Sequence, residues 1–144
     1  MRNSANKGNQ ANSAIVLEHD ETIAEAESLV VTNKDATAHS ERVLVAQVCR
    51  DKGSNSTPGL TMVTVVEPCL MCLSACTWAG YTKIAYIIPA DRYVKKIPWV
   101  SDTKDLDKSE LVKKFTSKIE LIHLKELEER FCKIFESEME WLLK

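Results

Sequence analysis

Two short clusters of chemically capable residues stand out in the sequence: His39-Ser40-Glu41 and Pro68-Cys69-Leu70-Met71-Cys72. Cys69 and Cys72 are three apart, so on a helix their sulfurs share one face and can chelate a single ion. His39 and Glu41 are two apart and would diverge in mid-helix. They converge only on a target beyond a helix N-terminus, where free N–H groups and the positive end of the dipole point. The same field favours the thiolate forms of Cys69 and Cys72. One His and two Cys leave the fourth tetrahedral position of a zinc ion open to water, whereas a closed structural site needs a fourth protein ligand. Water held there ionises near neutral pH and becomes a nucleophile. Glu41, which is not a ligand, is then placed to take a proton and pass it to a leaving amine.

The remaining candidates compete less well. Cys76 shares the helix face of the cysteine pair but lies about 6 Å further along by helical rise, and is expected as a small buried apolar group. Cys49 and Cys132 read as core or surface thiols, and His19 and His123 as structural. Tyr93 and Trp99 fall in a loop following a parallel strand. They are read first as loop anchors and second as a stacking surface for a base. Lys95, Lys96, Lys113, Lys114 and Lys118 read as solvated surface.

Both motifs must be carried by elements that bring them together. Ser13 to Asp20 and Thr22 to Val31 predict a hairpin around His19-Asp20-Glu21. Val43, Leu44, Ala46 and Val48 recur at helical spacing between His39 and Arg50, with Gly53 as a stop. Leu60 to Val66 is an almost unbroken β-branched run, as in a strand buried on both faces. A helix follows Pro68 as far as Gly80, then a strand over Lys83 to Ile88 that Pro89 ends. Residues 90–108 form a long loop, of a length more often functional than idle. A short helix over Ser109 to Phe115, a strand over Ile119 to Leu124 and an amphipathic helix over Lys125 to Leu143 complete the chain. The order describes an α/β mixed sheet with helices on its faces. A right-handed crossover from the strand before His39 to the parallel strand Leu60–Val66 sets both helix N-termini at one sheet edge.

Composition narrows the class. At 144 residues, with 44% apolar and 28% charged residues, the chain suits one soluble domain with a core. No apolar run approaches the ~18 residues of a membrane span, and Met1 to Asn12 carries no legible signal peptide. A net charge of −2 argues against a partner recruited by bulk electrostatics. Five cysteines, three of them crowded together, point to a reducing cytoplasm with metal or thiol chemistry, not to a disulfide framework.

The pair H-x-E and P-C-x-x-C resembles the signature of the zinc-dependent cytidine/deoxycytidylate deaminase superfamily. The longer stretches Asp35-Ala36-Thr37-Ala38-His39-Ser40-Glu41 and Glu67-Pro68-Cys69-Leu70-Met71-Cys72 are similar to its guanine deaminase and tRNA adenosine deaminase branch. The resemblance implies a five-stranded sheet in order 2-1-3-4-5 between helices, usually assembled as a homodimer. It implies zinc on His39, Cys69 and Cys72, Glu41 as proton shuttle, and the backbone N–H of Ser40 against the base. Ala11-Asn12-Ser13 replaces the family's Pro-Phe-Gly or Pro-Val-Gly, and Ala36 replaces a proline. Ser28 aligns with the asparagine that contacts substrate, with Asn33 nearby. Met1 to Gln10 corresponds only to the last turns of the family's first helix, so residues 1–144 are expected to be a single deaminase domain lacking most of that helix. The expected function is hydrolytic deamination of a free nucleobase or nucleoside, with a guanine-like purine favoured over a cytosine-type base. The alternatives are a tRNA adenosine deaminase forming inosine and a zinc-binding interaction module without turnover.

Overall fold

The computed structural model describes residues 1–144. Its centre is the β-branched segment Thr61–Val66, strand β3, flanked by β1 (Ser13–Glu18) and β4 (Lys83–Ile88). β1 runs antiparallel to β3 and to the outer strand β2 (Glu21–Glu27), whereas β4 is parallel to β3 and to β5 (Glu120–His123). The sheet is therefore mixed, in the order β2-β1-β3-β4-β5.

The helices are α1 (Arg2–Asn6), α2 (Val30–Asn33), α3 (Ser40–Asp51), α4 (Leu70–Ala79), α5 (Lys108–Val112), α6 (Lys125–Glu138) and α7 (Glu140–Leu143). Strand alternation divides the apolar side chains between two layers. Met62 and Ile84 join Leu44 and Val48 of α3 and Leu73 and Cys76 of α4 in one cluster. Val65 and Ile87, of opposite parity, pack with Cys132 and Phe135 of α6 and with Met139 in the other. α4 stops at Gly80, whose φ of +89° suits glycine and where a Cβ would meet Pro58 Cα at 3.2 Å.

Two elements depart from the sequence expectation. β2 ends at Glu27, and Val30–Asn33 winds into α2 instead of continuing the strand. The buried Asn9 explains this, because its Oδ1 accepts the N–H groups of Val31 at 2.7 Å and Thr32 at 3.3 Å. The C-terminal run is also two helices, broken at Met139, where φ is −108° and ψ 18°. No helix is long and apolar enough to cross a membrane.

Candidate active site

The two motifs meet because their helices begin at the same edge of the sheet. β2 and β3 both run antiparallel to β1, so the connection through α3 joins strands of like direction, and β3 leads straight into α4. His39 is the N-cap residue of α3 and Cys69 that of α4, both with extended backbone. Each side chain thus sits just outside a helix, next to unpaired N–H groups and the positive dipole end.

The ligating atoms of His39, Cys69 and Cys72 all lie within 4.8 Å of one another. His39 Nδ1 is 3.6 Å from Cys69 Sγ. A tetrahedral zinc with Zn–N of about 2.0–2.1 Å and Zn–S of about 2.3 Å separates its nitrogen and sulfur ligands by about 3.6 Å. The donor set fits zinc in type and in spacing. Cys72 is fully buried and Cys69 half-buried. The neighbouring Cys72 thiol and His39 hold Cys69 well below the ordinary thiol range, against the opposing effect of burial. The same contact raises Cys72. His39 is raised by its contact with Cys69, against the opposing effect of burial.

Glu41 lies in the first turn of α3 and is only 2% exposed. Burial pushes its carboxyl above the ordinary range, while hydrogen bonds from the backbone and from Ser40 pull the other way. The Ser40 hydroxyl donates to Glu41 Oε2 at 2.8 Å, and Asn12 Nδ2 approaches the same oxygen at 3.5 Å. Asn12 Oδ1 in turn accepts the Val66 N–H at 3.0 Å, at the end of β3. Asn12 is thus a buried polar contact of Glu41 that the sequence did not single out.

These groups open into a cavity of about 510 Å³, lined among others by Asn12, Ser28, His39, Glu41, Cys69, Trp99, Asp102 and Trp141. Ser28 is buried in its wall, and its carbonyl accepts the Ser4 hydroxyl at 3.0 Å. Ser40 is fully buried, and Asn33 is exposed and outside the lining. Tyr93 is a loop anchor, stacked on Phe135 at 4.8 Å with its hydroxyl donating to Glu136 at 2.7 Å. Trp99 is 55% exposed at the cavity wall, and Trp141, delivered by the break before α7, is 63% exposed. Cys76 packs in the core beside Leu73, apart from the ligand trio. Asp102 Oδ2 accepts the Leu70 N–H at 2.8 Å, capping α4 from the loop.

Comparison with known proteins agrees with this architecture. A guanine deaminase of Bacillus subtilis is 33% identical over 73 residues, covering 51% of this chain and 47% of that protein. A tRNA-specific adenosine deaminase of Aquifex aeolicus is 30% identical over 80 residues, covering 56% and 53%. The chain is therefore matched to about half the length of these curated relatives. The structure of a guanine deaminase from Nitrosomonas europaea superposes with a TM-score of 0.81 at 19% identity, over 95% of this chain and 77% of that one. A structure from work on tRNA:A34 deaminases gives 0.70 at 18% identity, over 85% and 88%. At these identities the structural likeness is one of fold. The family model for the cytidine and deoxycytidylate deaminase zinc-binding region matches residues 1–88, more than half of the sequence, and the chain belongs to that family.

Proposed function

We propose that the chain is one deaminase domain that hydrolytically removes an exocyclic amine from a free nucleobase or nucleoside, with a guanine-like purine favoured. The observation that carries this reading is Glu41, a buried carboxylate facing the cavity beside three zinc-type donors and not needed to hold a metal. His39, Cys69 and Cys72 would hold a zinc ion, which would supply a Lewis acid able to make water nucleophilic near neutral pH. Glu41 takes a proton from the attacking water and delivers it to the departing nitrogen. A C–O bond forms at the amine-bearing carbon, the C–N bond breaks, and ammonia leaves. Ser40 orients the Glu41 carboxylate through its hydroxyl, and it does so from behind the cavity wall, fully buried and outside the lining. Ser28 contributes to the wall on the substrate side. Retention of Glu41 argues against an interaction module without turnover.

A second reading, adenosine deamination in tRNA, is favoured by Trp99 and Trp141, two aromatic side chains that line the cavity and are largely exposed. The net charge of −2 favours the smaller substrate. Ammonia release from guanine should be compared with inosine formation in an anticodon stem-loop at two salt concentrations. Small-base activity that varies weakly with salt supports the first reading. Salt-sensitive editing of the stem-loop, without activity on any base or nucleoside, replaces it with the second. We read the assembly as a homodimer, consistent with Trp78 standing 87% exposed on α4. The odd cysteine count supports a cytoplasmic location.

A further inference from the structure

Lys108 opens α5, yet its side chain is only 3% exposed, and its Nζ lies 3.7 Å from Glu67 Oε1. Lysine is seldom buried this deeply without a partner charge. Glu67 immediately precedes the Pro68-Cys69 turn, and its second oxygen accepts the Ala90 N–H at 2.9 Å. The turn that presents Cys69 is thereby tied to the first residue after Pro89. On the far side of Cys69 the tie runs the other way, with Asp102 accepting the Leu70 N–H. Two carboxylates thus bracket Cys69, one reaching from the metal turn to the loop and one from the loop to the metal turn. Glu67 also forms part of the partition between the active-site cavity and a neighbouring groove of about 950 Å³ that Lys108 lines.

We propose that Lys108 is a positioning residue for the metal turn: its buried ammonium holds the Glu67 carboxylate on the Ala90 N–H, and this brace keeps Cys69 at ligating distance from His39. Without the cation, a mostly buried carboxylate with one backbone donor gains by rotating toward water in the adjoining groove. The Ala90 N–H is then released and the turn between β3 and α4 loses one of its two carboxylate ties, keeping the backbone bond from the Glu67 N–H to the Ile88 carbonyl at 2.8 Å. If the site required only bulk at position 108, an unbranched apolar side chain would serve equally well.

The inference rests on the zinc reading above, and its test needs no substrate. Zinc-loaded wild type, Lys108→Met, Glu67→Gln and the double variant are compared by zinc transfer to a chromogenic chelator and by hydrogen exchange at Ala90. Cobalt-substituted samples report thiolate ligation through the charge-transfer band. Lys108→Met should release zinc about tenfold faster, the lower end of the effect of disturbing groups behind metal ligands, with faster Ala90 exchange and a weaker thiolate band. The double variant carries a neutral pair in which the amide carbonyl introduced by Glu67→Gln still accepts the Ala90 N–H, and it should recover most of the loss.

Wild-type zinc retention and Ala90 protection in Lys108→Met overturn the proposal. So does a double variant as impaired as the two single changes combined. If Lys108→Met fails to fold, the double variant decides: folding with retained zinc supports the brace, and failure to fold overturns it. Absence of deamination in every sample, with the zinc pattern as expected, overturns the functional reading and leaves the brace standing.

Discussion

Asn12 links Glu41 to the edge of the sheet, its Nδ2 lying 3.5 Å from the carboxylate while its Oδ1 accepts the Val66 N–H at 3.0 Å. One amide side chain therefore connects the residue before β1, the end of β3 and the acid of α3. Because Asn12 is buried, water cannot replace it freely.

Asn12→Ala should destabilise the protein by about 1–3 kcal/mol, because the Val66 N–H is left without its acceptor. Urea denaturation measures this directly. Deaminase activity should fall further than stability accounts for, since Glu41 loses one of its two side-chain partners. Equal stability of variant and wild type would show that the backbone rearranges to satisfy Val66 by another route.

The part of this site that was legible in sequence is the part written in short spacing. His39, Glu41, Cys69 and Cys72 announce themselves because each pair lies within one turn of a helix start. Asn12 does not, since its partner Val66 is 54 positions away and no local pattern links them. The sheet order follows from strand sequence plus family resemblance, but the end of β2 does not. Val30 and Val31 look like strand residues, and only the distant Asn9 turns them into a helix N-terminus. Likewise Lys125 to Leu143 reads as one amphipathic run, which hides the break at Met139 and the placement of Trp141 at the cavity.

Glu41→Gln keeps the size and hydrogen-bonding reach of the side chain but cannot carry protons. Turnover should drop by at least about 100-fold with zinc content unchanged. Metal analysis beside steady-state kinetics checks both halves. Surviving activity would move the proton shuttle to another residue, and lost zinc would give Glu41 a role in holding the metal.

The ligand assignment is checked by separating Cys72 from Cys76, one turn apart on α4. Cys72→Ser should lower zinc to well under one equivalent per chain. Cys76→Ala should retain a full equivalent, because Cys76 packs with Leu73 and Ile84 in the core. Its cost should be a stability loss of about 1 kcal/mol from the small void left behind. Zinc loss in Cys76→Ala, with the fold intact by circular dichroism, would make Cys76 a fourth ligand and close the site.

Trp141 bears on substrate size. It borders the cavity but is 63% exposed, so it can cover a bound base from the solvent side. Stacking of a base on an aromatic side chain contributes about 1–3 kcal/mol. Trp141→Ala should therefore raise KM for the free base by roughly 5- to 150-fold with kcat little changed, because the ring binds ground state and transition state alike. Trp99→Ala, on the loop side, should act in the same direction. A parallel fall in kcat would mean that the ring also excludes water during the reaction. If neither change alters KM for guanine, while both weaken binding of an anticodon stem-loop, the tryptophans touch nucleotides beyond the reacting base. The cavity would then belong to an RNA substrate.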